Sequence, residues 1–178
     1  METATLGGGC FWCLEAVYDE MQGVSSAESG YMGGHLDKPD YDAVCIGKTG
    51  HVEVVRVTFD PEVTTYRQIL EVFFAMHDPT SMDRQGNDAG PQYRSVIFTH
   101  SEAQREMAHQ LIAELDGAGL PGKPVVTQVR PAATFYEAED YHQEYFKNNP
   151  QQGYCAFVVA PKLQKFRQKF AAKRRSGA

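Results

Sequence analysis

The apolar residues of this 178-residue chain switch between a period of two and a period near 3.6 in a fixed order, and they do so twice. Residues 3–6 read as a short strand closed by Gly7-Gly8-Gly9. Phe11, Leu14, Val17, Tyr18 and Met21 then share one stripe of a helix over 11–21, and 24–31 returns to a strand. The second unit begins with a strand over 53–59, where Val55, Val57 and Phe59 alternate with Arg56 and Thr58. A helix over 66–77 follows, with Ile69, Leu70, Phe73, Phe74 and Met76 on its apolar side and Asp78-Pro79 as its stop; 93–99 is the next strand. Strand-helix-strand repeated in this way is the split βαβ pattern. It predicts an α/β (α+β) two-layer sandwich with a ferredoxin-like βαββαβ core and extra C-terminal elements.

Those further elements are a helix over 102–115, a strand over 125–129, a short helix over 139–148, a strand over 155–159 and a last helix over 162–172. Two long polar loops, 32–50 and 81–92, are of the kind usually kept for function. Nothing resembles a linker or a repeat, so residues 1–178 read as a single domain. A formal net charge of -6 argues against nucleic acid as a partner. No apolar run approaches a membrane span, and the first residues lack the basic start of a secretory signal, which places the expected chain in the cytoplasm. From Lys162 onward there are seven basic residues and no acid, read as a solvated helix end whose cations suit the dipole.

Four cysteines, Cys10, Cys13, Cys45 and Cys155, are too few for a disulfide scaffold and point to chemistry or to burial. Cys10 falls at a helix N-terminus, where unpaired N–H groups and the positive dipole end favour thiolate. Trp12, the only tryptophan, lies two residues on and offers that sulfur an aromatic wall. The Cys10-Phe11-Trp12-Cys13 pair also leaves open a thioredoxin-type oxidoreductase, half a zinc site, or two buried thiols. Glu53 has the parity of Val55, Val57 and Phe59, so it points to the covered face, where burial would keep it protonated as a general acid requires. An ordinary strand-end Glu fits the same pattern. His51 reads as a loop hydrogen-bonder, Tyr41 as a packing aromatic, and Gly86-Asn87-Asp88 as turn chemistry leading to Tyr93.

Taken together, the segments closely resemble the A-type peptide methionine sulfoxide reductases. The resemblance runs through Gly9-Cys10-Phe11-Trp12, Gly30-Tyr31-Met32-Gly33-Gly34 and Gly47-Lys48-Thr49-Gly50-His51-Val52-Glu53. It continues through Gly86-Asn87-Asp88-Ala89-Gly90-Pro91-Gln92-Tyr93-Arg94-Ser95 and Ala138-Glu139-Asp140-Tyr141-His142-Gln143, in the family's order. The resemblance implies that Cys10 attacks the sulfoxide sulfur, that Phe11 and Trp12 hold the substrate methyl group, and that Glu53 protonates the oxygen. It gives Tyr41, Tyr93 and Asp88 supporting roles. It also implies a monomer acting on the S epimer of free and protein-bound methionine sulfoxide, with no bound cofactor or metal and with thioredoxin as reductant. Many members carry Gly where this chain has Cys13, and two cysteines near the C-terminus; here only Cys155 lies there. Cys13 and Cys155 are therefore rival resolving thiols, with proximity favouring Cys13, and Cys45 is left a structural place.

Overall fold

The computed structural model describes residues 1–118 and 123–175. The core runs β1 (Glu2–Gly7), α1 (Phe11–Asp19), β2 (Val24–Met32), α2 (Tyr41–Cys45), β3 (Val52–Phe59), α3 (Tyr66–Met76), a short hairpin of β4 (Arg84–Gln85) and β5 (Asp88–Ala89), then β6 (Val96–Thr99). Beyond it lie α4 (Glu102–Gly117), β7 (Gln128–Pro131), β8 (Tyr136–Glu137), α5 (Tyr145–Asn148) and α6 (Ala160–Lys169). The sheet order is β7-β6-β1-β3-β2-β8; β1, β2, β3 and β6 pair antiparallel, and β7 adds in parallel to β6. The inner four strands carry the expected ferredoxin-like arrangement, with α1 and α3 as its two helices.

Period-two alternation in β3 sorts its side chains between two buried faces. Glu53, Val55, Val57 and Phe59 face the helices, where Phe11, Leu14, Ile69, Phe73, Leu111 and Phe166 complete the main core. Val52 and Val54 face the other way and meet Met32, Val96 and Phe98 beneath Ala132 and Phe135. Burying one such large apolar side chain contributes roughly 1.5–3 kcal/mol, so the strand bearing Glu53 is fixed firmly from both sides. Among the described residues, no helix is long and apolar enough to cross a membrane.

Several expectations shift. The loop over 32–50 contains α2, started by Asp40, whose side chain accepts from Ala43 N. The loop over 81–92 contains β4 and β5, and Pro91–Tyr93 is a turn of 3-10 helix, so the next strand begins only at Val96. The helix over 139–148 is broken, because Glu144 has φ 52, outside the right-handed region a helix requires. Residues 155–159 are a π-helical turn running into α6 rather than a strand. Their buried side chains are Cys155 and Val159, four apart, while Phe157 is 84% exposed. The basic tail keeps solvated cations, Lys165, Lys169 and Arg175 being exposed, and is also tied down: Arg167 pairs with Glu20, and Arg175 N donates to Glu20 O.

Thr65 starts α3 with a full capping box, its side chain accepting from Gln68 N while Gln68 Oε1 accepts from Thr65 N. Thr65→Ala is expected to destabilise the protein by about 1 kcal/mol. An unchanged urea midpoint would refute that assignment.

Candidate active site

Cys10 is the N-cap residue of α1, extended at φ -66 and ψ 130, and its side chain makes no cap bond. Gly9, at φ +91, makes the bend that delivers it, with Gly9 N donating to Tyr93 O at 3.2 Å. The uncapped helix end is served from a distant strand: Phe11 N donates to Glu53 Oε1 at 3.1 Å. Glu53 is 1% exposed, on the face its strand parity predicted, and its Oε2 is buried without a hydrogen-bond partner. Burial pushes its pKa up to about 8 and the charge of Asp88 adds to this, against the opposing Phe11 N–H. The carboxyl is therefore mostly protonated at neutral pH.

The thiol departs from the expectation of a thiolate. Burial pushes the Cys10 pKa well above the ordinary thiol range, followed by the nearby Glu53 and Cys13; the Trp12 backbone N–H opposes them without prevailing. At rest the site thus holds two proton-bearing groups, a thiol and a carboxylic acid, and a single negative charge is not left stranded in an apolar pocket.

An aromatic wall encloses this pair. The Phe11 ring lies 5.7 Å from Tyr31, 5.1 Å from His142 and 6.5 Å from Tyr41, centroid to centroid. Trp12 stacks on Tyr145 at 3.9 Å with planes 7° apart, and its indole N–H donates to His142 Nδ1 at 3.0 Å. Glu139 sets the back of the wall by accepting from the Tyr31 hydroxyl and from Tyr41 N. Burial, then the nearby Glu53, raises the pKa of the Tyr41 and Tyr93 hydroxyls, which keeps both as proton donors. Glu53 and Tyr93 therefore neighbour Cys10, Phe11 and Trp12 follow it in the first turn of α1, and Tyr41 joins the group through its ring contact with Phe11.

Asp88, on β5, is an electrostatic neighbour of Cys10 and accepts a hydrogen bond from the Tyr154 hydroxyl. That same hydroxyl is 4.0 Å from Cys13 Sγ. Cys13 and Cys155 are 2% and 0% exposed, and burial raises both thiol pKa values. Cys10 and Cys13 are electrostatic neighbours, as are Cys13 and Cys155. Cys45 is exposed and neighbours the Tyr41 hydroxyl. His51 is buried as a loop tie, its Nδ1 accepting from Gly34 N. Gly34 allows this approach: a Cβ there would sit 2.3 Å from His51 N.

Sequence reasoning missed His142, Tyr145, Glu139 and Tyr154 as parts of the site. Tyr154 adjoins Cys155, and His142 and Glu139 lie in one of the matched segments, so a signal existed for three of the four.

The family profile Peptide methionine sulfoxide reductase matches residues 2–174. The Peptide methionine sulfoxide reductase MsrA of Polynucleobacter asymbioticus is 58% identical over 170 residues, covering 96% of this chain and 90% of that one. The crystal structure of reduced Mxr1 from Saccharomyces cerevisiae superposes with a TM-score of 0.79 at 36% identity, covering 86% of this chain and 88% of the yeast chain. Mxr1 in complex with Trx2 gives a TM-score of 0.54 at 26% identity, over 81% of this chain and 84% of that one. With its sequence matched from the first strand to the basic tail, and a cysteine, a buried acid and an aromatic wall meeting at one helix end, the chain belongs to the peptide methionine sulfoxide reductases.

Proposed function

We propose that this chain reduces methionine-(S)-sulfoxide, free and within proteins, through Cys10, and that thioredoxin restores its thiols. The observation that carries this is Glu53: a buried carboxyl, protonated at neutral pH, with Oε1 fixed by Phe11 N and Oε2 left without a partner beside Cys10. A sulfoxide oxygen is a strong acceptor that would satisfy Oε2, and S=O is a poor electrophile until that oxygen is protonated. Cys10 attacks the sulfur as Glu53 supplies its proton to the oxygen; the thiol's own proton returns the carboxyl to its acid form. The substrate S–O bond then breaks as its hydroxyl oxygen bonds to the Cys10 sulfur, the transient Cys10–substrate S–S bond breaks with its electron pair returning to the methionine sulfur, methionine leaves, and Cys10 is a sulfenic acid. Phe11 and Trp12 receive the methyl group, Tyr41 and Tyr93 donate toward the oxygen, and Asp88 organises the opposite side. A pocket with the acid and the aromatic wall on fixed sides accepts one configuration at sulfur.

Cys13 is the first resolving thiol in this reading, because it neighbours both Cys10 and Cys155 and shares the first turn of α1 with Cys10. Cys155 then exchanges with it and presents a disulfide for reduction. The yeast relative's complex with Trx2 supports a thioredoxin as reductant. A reducing compartment, the cytoplasm, suits four free thiols.

The test uses resolved epimers of a methionine sulfoxide peptide with dithiothreitol, and then with thioredoxin. The S epimer should be consumed and the R epimer spared. Reduction of insulin disulfides without consumption of either sulfoxide would instead establish a general disulfide oxidoreductase.

A further inference from the structure

Tyr154 stands between two groups that resolution must connect. Its hydroxyl donates to Asp88 Oδ2 and lies 4.0 Å from Cys13 Sγ. A phenol has one proton to give, and with that proton committed to Asp88 the contact with Cys13 is the thiol donating to the phenol oxygen. Thiol, phenol and carboxylate thus form a line of three hydrogen-bonding groups. The ring is held edge-on against Trp12 with centroids 5.7 Å apart, so the hydroxyl has a fixed aim.

We propose that Tyr154 is a catalytic residue of the resolving step, passing the proton of Cys13 to Asp88 as Cys13 attacks the oxidised Cys10. The inference rests on Cys13 being the first resolver. Such a relay is needed because Cys13 is buried and holds its proton, while a thiol attacks only as thiolate.

The step balances. The Cys13 S–H proton moves to the Tyr154 oxygen as the Tyr154 O–H proton moves to Asp88. The freed sulfur pair forms the S–S bond to Cys10, the Cys10 S–O bond breaks, and hydroxide takes a proton from Glu53 and leaves as water. Cys13 is oxidised and Cys10 reduced, and the proton gained by Asp88 equals the one Glu53 gave up. Glu53 and Asp88 are electrostatic neighbours, and that proton returns from one to the other before the next turnover. The charged and titratable groups facing Cys13 are Cys10, Asp88, Tyr154, Cys155 and Lys162; those facing Asp88 include Glu53, Tyr93, Cys10 and Tyr154. Lys162 lines the same groove as Asp88 and Tyr154, and its charge favours the thiolate that the relay generates.

Single-turnover mass spectrometry follows methionine release and disulfide formation in the same sample. In Tyr154→Phe the ratio of the disulfide rate to the release rate should fall about 100-fold, the size of a lost proton-transfer partner. Asp88→Asn should lower the same ratio, and the double variant should lower it no further than the worse single change. An unchanged ratio, or equal slowing of both steps, would overturn the relay. Should the first wild-type disulfide join Cys10 to Cys155, at a rate untouched by Cys13→Ser, the resolver assignment fails and takes the relay with it. A Cys10–Cys13 disulfide with the ratio intact sinks the relay alone.

Discussion

Cys10→Ser should abolish sulfoxide reduction, by a factor on the order of 10⁴ or more, as loss of an obligatory nucleophile does. The same change should leave the fold at least as stable. Position 10 is the N-cap of α1, where the native side chain makes no cap bond. A serine hydroxyl there can accept from the open first turn and contribute about 0.5–1 kcal/mol. The expected variant is therefore inert toward sulfoxide with dithiothreitol yet unfolds in urea no earlier than wild type. Surviving turnover would exclude Cys10 as nucleophile; a collapsed urea midpoint would mean the loss of activity came from unfolding.

Glu53→Gln should lower kcat/KM by about 100-fold or more, since it removes the proton that makes the sulfoxide reactive. The proposed mechanism requires the acid form, and the pKa of Glu53 is pushed up to about 8, so the rate should hold at neutral pH and fall as pH rises through that value. The glutamine variant should lack this alkaline limb; its persistence would assign the limb to another group. Stability should move the opposite way. The folded state holds the Glu53 proton more tightly than the unfolded chain does, so its contribution to stability is complete below the ordinary carboxyl range and lost as pH climbs toward about 8. By pH 7 that loss is ~3 kcal/mol, and glutamine escapes it. Thermal unfolding should find the variant near wild type at pH 5 and clearly more stable at pH 8. A constant gap across that range would mean Glu53 ionises as easily folded as unfolded.

What the sequence disclosed follows from which interactions are local. Glu53 was placed on the covered face because a strand alternates strictly, and one apolar neighbour two residues on is enough to set its direction. Cys10 was placed at a helix end because a glycine run followed by a 3.6-residue stripe admits little else. The strand expected over 155–159 failed because Phe157-Val158-Val159 has strand-like composition, whereas burial falls on Cys155 and Val159, one helical turn apart. The helix over 139–148 failed at Glu144, whose left-handed backbone no composition announces. Tyr154 was signalled only by its place beside Cys155, because its partners, Asp88 and Cys13, lie 66 and 141 residues away in the chain, beyond any local pattern. The lowering of the thiol pKa by the helix end was legible; the larger raising of it by burial was a property of the packed fold.

Of the four cysteine sulfurs, three lie beneath the surface as protonated thiols, and the one that is exposed, on α2, is not among the expected redox cysteines. Peroxide and other bulk oxidants attack accessible thiolates fastest. A repair enzyme must work in the very conditions that damage its clients. With the three thiols proposed to work in turnover buried and protonated, the oxidation proposed for this chain's own cycle is kept apart from the oxidation that the surroundings would inflict.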